Sequence, residues 1–113
     1  MLNKKYRFHS RGGVNYVYKH GRTVRTPMVS LVYGDNRRGF TRVAVVVSKK
    51  VDKSAVARNR VRRRVYEALR VNFEAVPKER DYIFVVYSDK IKTMDFGKLQ
   101  EMLGELVGQS RVR

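Results

Sequence analysis

The chain has no cysteine and no tryptophan, only two prolines, and only 10 acidic residues among 113. Without a thiol there is no disulfide, no thiolate nucleophile and no thiolate metal site, a composition that suits a reducing compartment. No apolar run approaches the roughly 18 residues of a membrane span. The first twenty residues also hold no apolar signal-peptide core, so the expected location is cytoplasmic. With no tryptophan, the helices lack the Trp-rich apolar face that would favour a membrane surface, although positive charge by itself attracts anionic lipid. The scarcity of acid matters most. Against 26 Lys and Arg, it leaves a formal charge of +16. Self-repulsion on that scale is relieved by a polyanion, and phosphates accept Lys and Arg in exchange for condensed counterions. Nucleic acid is therefore the leading partner.

The residues that are present suffice for one folded unit. Hydrophobic residues make up 42% of the chain and aromatics 11%, which argues against disorder. A chain of this length buries roughly 60 to 70% of its unfolded surface, enough for a single domain over residues 1–113. The first ten residues are basic with Tyr6 and Phe8 interleaved, and read as an irregular arm. Val14, Val17 and Tyr18 are spaced as a short helix that stops at Lys19, His20 and Gly21. Residues 28–33 and 41–48 favour strand, and the polar turn between them predicts a hairpin. A short pairing segment near Thr23 and Val24 would add a third strand. A long helix follows over roughly 54–71, then a nearly continuous apolar strand at 82–87. The last helix carries Phe96, Leu99, Leu103 and Leu106 on one side, and Asp95 is placed to cap it. The order αβββαβα predicts an α+β fold, a two-layer sandwich of helices on a small sheet.

The long helix is the sharpest local signal. At about 100° per residue, Ala57, Val61, Val65, Ala68 and Leu69 share one stripe, while Asn59, Arg60, Arg62, Arg63 and Arg70 fan over the other side. Lys49 and Lys50 precede it, after a strand. A solvated helix face usually mixes charges, whereas this one has almost no acid before Glu67. Arginine's planar fork binds phosphate oxygens in pairs and stacks on exposed bases, and Asn59 both donates and accepts at a base edge or ribose hydroxyl.

The run VVVSKK at 45–50, followed by ARNRVRRRVYEALR at 57–70, closely resembles the signature of the bacterial ribonuclease P protein family. The hallmark of that family is an Arg-Asn-Arg triplet heading a basic helix. The aromatic helix ending in Tyr18, Lys19, His20 and Gly21, and the strand from Ile83 to Val86, fall in the family's order too. The resemblance implies a ribosomal protein S5 domain 2-like sandwich with a left-handed βαβ crossover, where the general rule for parallel connections predicts a right-handed one. It implies further that Arg58, Asn59, Arg60, Arg62 and Arg63 meet a catalytic ribonuclease P RNA. A cleft at Tyr18, Ser48 and Lys50, with Val14, Val32 and Val46, would hold the 5′ leader of precursor tRNA, and Lys49 and Lys53 would add phosphate contacts. An exposed aromatic beside lysines has independent sense as a sequence-tolerant grip on a single strand, although an aromatic on a short helix more commonly packs in a core.

Some positions depart from the family pattern. Val14 stands where an aromatic is usual, Val32 and Val46 stand where polar or aromatic residues are frequent, and Tyr66 stands where a basic residue is common. The link from Lys50 to Arg58 is one residue longer than in some members. A protein ribonuclease needs a positioned acid and base, or carboxylates that hold metal. Here His9 and His20 are isolated, and Asp52 and Asp89 suit capping better than metal binding. Hydrolysis is thus expected on the RNA subunit with Mg2+, the protein being a non-catalytic, monomeric subunit of the ribonucleoprotein that forms the mature tRNA 5′ end. A ribosomal or assembly protein would use the same basic helix without a leader cleft, and an autonomous nuclease would cleave without RNA.

Overall fold

A computed structural model describes residues 11–36, 40–72 and 80–112. The basic arm expected at 1–10 lies outside them. In chain order the elements are α1 (Arg11–His20), β1 (Arg22–Arg25), β2 (Val29–Asp35), β3 (Arg42–Val47), α2 (Ala55–Asn72), β4 (Arg80–Val86), a 3-10 turn (Asp89–Lys92) and α3 (Phe96–Val112). The expected order αβββαβα is observed, and the short pairing segment at Thr23 and Val24 is β1.

The sheet order is β1-β2-β4-β3, which corrects one expectation. β2 and β3 do not form a hairpin, because β4 lies between them, antiparallel to β2 and parallel to β3. The reason is in the composition of β4. Tyr82, Ile83, Phe84 and Val86 are all fully buried, and a strand that is apolar on both faces belongs in the middle of a sheet. α2 then makes the crossover from β3 to β4. The hairpin that does form joins β1 to β2, and Thr26 closes its turn. The Thr26 hydroxyl donates to the Val29 carbonyl at 2.7 Å and accepts the Val29 N–H at 2.9 Å.

The two faces of the sheet bury different amounts. Val29, Leu31, Tyr33, Val43, Val45, Tyr82, Phe84 and Val86 pack on one face against Val61, Val65, Ala68 and Leu69 of α2 and Leu99, Leu103 and Leu106 of α3. Each such side chain contributes about 1.5–3 kcal/mol when fully buried, so this is the layer that holds the fold together. The other face carries a small cluster in which Val17 of α1 meets Val32, Ala44 and Ile83. α1 therefore covers only part of that face.

Local signals start and stop the helices. Ser54 begins α2, its hydroxyl accepting the Ala57 N–H at 3.3 Å and its carbonyl the Arg58 N–H at 3.0 Å. Asp95 begins α3 as expected, its carboxylate accepting the Lys98 N–H at 3.2 Å. Gly21 ends α1, donating its N–H to Val17 at 2.7 Å. A Cβ at Gly21 would sit 2.6 Å from the carbonyl oxygens of both Val17 and Tyr33. Only glycine lets the chain leave the helix so close to β2.

Candidate nucleic-acid interface

The arginines of α2 divide by what they touch. Arg58 turns back to the loop before its own helix, donating to the carbonyls of Asp52 at 3.0 Å and Lys53 at 2.9 Å. Arg62 donates from Nε to the Val45 carbonyl at 3.3 Å and from Nη1 to the Asn59 side chain. Arg64 donates to the carbonyls of Ile91 at 3.1 Å and of Met94, and its guanidinium lies 5.7 Å from the centre of the Phe96 ring. Arg60 and Arg63 are exposed and, among the described residues, make no hydrogen bond or ion pair. The expected set Arg58, Asn59, Arg60, Arg62 and Arg63 thus shares one helix, but of its arginines only Arg60 and Arg63 have every donor free among the described residues, and Asn59 keeps its amide N–H donors while its oxygen accepts from Arg62.

β3 is an edge strand, and α2 protects its open side. The buried Tyr66 hydroxyl accepts the Val45 N–H at 3.2 Å and points at the Val43 carbonyl at 3.5 Å, while Arg62 takes the Val45 carbonyl. An unpaired edge is a site for unwanted strand addition, and these two side chains close it. Tyr66, buried and bonded to β3, is part of the fold and not of the basic face.

The link from β3 to α2 is fixed by its own polar groups. Ser48 extends the sheet by donating to the Val86 carbonyl at 2.9 Å, and its hydroxyl accepts the Lys50 N–H at 3.1 Å. Lys49, Lys50 and Lys53 are left exposed. Asp52 accepts the Ser54 N–H at 2.9 Å and pairs with Lys92 at 3.1 Å. The Ser54 N–H and then Lys92 hold the Asp52 carboxyl below its usual range. Asp89 lies in the first turn of the 3-10 segment. Among the described residues, no three His, Asp or Glu side chains converge as metal ligands would.

Beyond the part of the sheet that α1 covers, the register aligns Arg25, Ser30, Val85 and Val46 in one row across β1, β2, β4 and β3. Val46 is 37% exposed and Val85 half-buried, giving an aliphatic floor that leads to Ser48 and the lysines. Tyr18 is 44% exposed, with its hydroxyl pKa pushed up by burial. Val32 lies one row away, roofed by Val17 and only 6% exposed, so it supports the floor instead of lining it. The side chain of Val14 lies outside the described residues. Sequence reasoning missed Val85 and Ser30. The alternation in β4 gave the signal for Val85, since Ile83 and Val85 must face away from Tyr82, Phe84 and Val86. The Ser30 hydroxyl donates to Tyr87 at 3.2 Å, and Tyr87 in turn donates to the Thr26 carbonyl.

This geometry agrees with what the chain is similar to. The family model described as Ribonuclease P matches residues 2–111. The chain belongs to the ribonuclease P protein family. Among its relatives, the ribonuclease P protein component of Thermoanaerobacter sp. is 40% identical over 91 residues, covering 80% of this chain and 77% of that one. The corresponding component of Roseiflexus castenholzii is 31% identical over 111 residues, covering 98% and 90%. The fold is shared with the RNase P protein of Thermotoga maritima at a TM-score of 0.81 and 24% identity, covering 91% of this chain and 96% of that one. For a ribonuclease P protein, Arg60, Arg63 and Val46 are side chains that the described fold leaves exposed.

Proposed function

We propose that the chain is the protein subunit of ribonuclease P, contributing RNA contacts to the removal of the 5′ leader from precursor tRNA. The observation that carries this reading is that the exposed Arg60 and Arg63 of α2 and the exposed Val46 of β3 belong to the two elements that the lysine loop at 48–53 joins. The helix would bind the catalytic RNA through Arg60 and Arg63, with Asn59, Arg58 and Arg62 adding those donors that the fold leaves free. The sheet row that holds Val46 would take the single-stranded leader. Bases pack against Val46, Val85 and Tyr18, and Lys49 and Lys50 neutralise phosphates, so the grip depends little on base identity. Among the described residues the carboxylates do not converge as a metal site would, and Mg2+ is assigned to the RNA subunit together with the chemical step. The protein supplies positive charge that brings the two polyanions together and lowers the Mg2+ concentration required. It acts as a monomer within the ribonucleoprotein.

The test is the dependence of affinity on the leader. With the RNA subunit present, precursor tRNA should bind more tightly than mature tRNA, and Tyr18→Ala should remove most of that difference. Equal affinity of the wild-type complex for the two tRNAs would rule out the leader cleft.

A further inference from the structure

α1 has two aromatic flanks, and the cleft uses only one of them. At about 100° per residue, Tyr16 and Tyr18 project on opposite sides of Val17, whose side chain is buried in the sheet. Tyr16 is 61% exposed, and its ring centre lies 4.3 Å from that of His20 with the planes tilted by 39°. A groove beside His20 is bordered by Arg22, Tyr33, Asp35 and Arg80. Arg80 is held in place by Asp35 at 3.2 Å and by the Ser110 carbonyl at 2.8 Å. Lys19 and Arg22 are exposed and, among the described residues, their side chains have no partner. The basic end of α1 complements the carbonyl end of the helix dipole, and the Tyr16–His20 pair spans one turn of α1, yet most of the Tyr16 ring stays exposed.

We infer that Tyr16 and His20, with Lys19 and Arg22, form a second contact for single-stranded RNA on the flank of α1 opposite Tyr18. One base stacks on the paired rings, and the flanking phosphates meet Lys19 and Arg22. Aromatic stacking combined with phosphate neutralisation is the chemistry that holds single strands without regard to sequence. A second copy of this chain fits poorly, because the adjacent free edge β1 carries Arg22 and Arg25 and would set like charges against each other. The contact does not depend on the leader reading, since a different tyrosine carries it.

The absence of tryptophan makes a direct test possible. Tyr16→Trp and Tyr18→Trp each install a single fluorophore of this kind. Each full-length variant is titrated with a short single-stranded oligoribonucleotide, with a bacterial ribonuclease P RNA, and with inorganic polyphosphate as a polyanion without bases. The expected result is quenching of Tyr16→Trp by at least one RNA and not by polyphosphate. The RNA that quenches tells whether the strand is leader-like or belongs to the catalytic RNA. No quenching by either RNA, or equal quenching by polyphosphate, overturns the inference. Quenching of Tyr16→Trp with a silent Tyr18→Trp would sink the leader cleft and leave this site standing. Tyr16→Ala combined with Arg22→Ala should weaken binding of the quenching RNA roughly tenfold with thermal melting unchanged, and undiminished affinity would also overturn it.

Discussion

Two arginines four residues apart on α2 should respond to alanine substitution in opposite ways. Arg64 donates to the carbonyls of Ile91 and Met94 and stacks over Phe96, tying α2 to the start of α3. Hydrogen bonds from a charged group are worth about 1.5–3 kcal/mol, reduced by partial exposure, and the ring contact adds about 0.5–1 kcal/mol. Arg64→Ala should therefore cost about 2–4 kcal/mol, which for a chain of this size lowers the melting temperature by on the order of 10 °C. Arg60 is exposed and makes no hydrogen bond or ion pair among the described residues, so Arg60→Ala should stay within about 0.5 kcal/mol of wild type. It should instead weaken RNA binding and make the plot of log affinity against log salt shallower by about 0.7–0.9, the loss of one phosphate contact. Thermal unfolding and a salt series of RNA titrations read the two effects separately. If Arg60→Ala melted as early as Arg64→Ala, or Arg64→Ala melted like wild type, the division between structural and RNA-facing arginines would be wrong.

Four further outcomes follow from the geometry. Tyr66→Phe should cost about 1–3 kcal/mol in urea unfolding, because the buried Val45 N–H loses its acceptor. Gly21→Ala should cost more than about 2 kcal/mol, since the added Cβ meets two backbone oxygens at 2.6 Å; wild-type stability would contradict the close approach. The Tyr18 hydroxyl is raised above its ordinary 10.0 by burial, so the folded state favours the protonated form. Its effect on stability is absent below pH 10.0 and appears as a loss as pH rises further, a loss that Tyr18→Phe should lessen. The Asp52 carboxyl is lowered from 3.8, so its contribution is present above that pH and disappears as pH falls below it. Asp52→Asn should flatten that part of the acid-unfolding curve.

Much of the fold was legible because burial patterns are local. The α2 stripe at Val61, Val65, Ala68 and Leu69, the Ser54 and Asp95 starts and the Gly21 stop each follow from a few neighbouring residues. The β2–β3 hairpin did not materialise, because strand order is decided by non-local competition. Two strands close in sequence were separated by a more apolar third that needed neighbours on both edges. The candidate interface was legible as a basic helix but not arginine by arginine. Charge placed Arg58, Arg62 and Arg64 beside Arg60 and Arg63, yet only tertiary structure shows which guanidiniums are already engaged by carbonyls. In the same way Val32 looked like part of the cleft until Val17 was seen to roof it.

The most direct test of the central claim is cleavage of a precursor tRNA at low Mg2+ by a bacterial ribonuclease P RNA, with and without this protein. Rescue of cleavage by the wild type, and its loss when Arg60 and Arg63 are both changed to Ala, is the predicted result. No rescue by a folded wild-type protein would contradict the subunit assignment, and cleavage by the protein without any RNA subunit would contradict the placement of the chemical step on RNA.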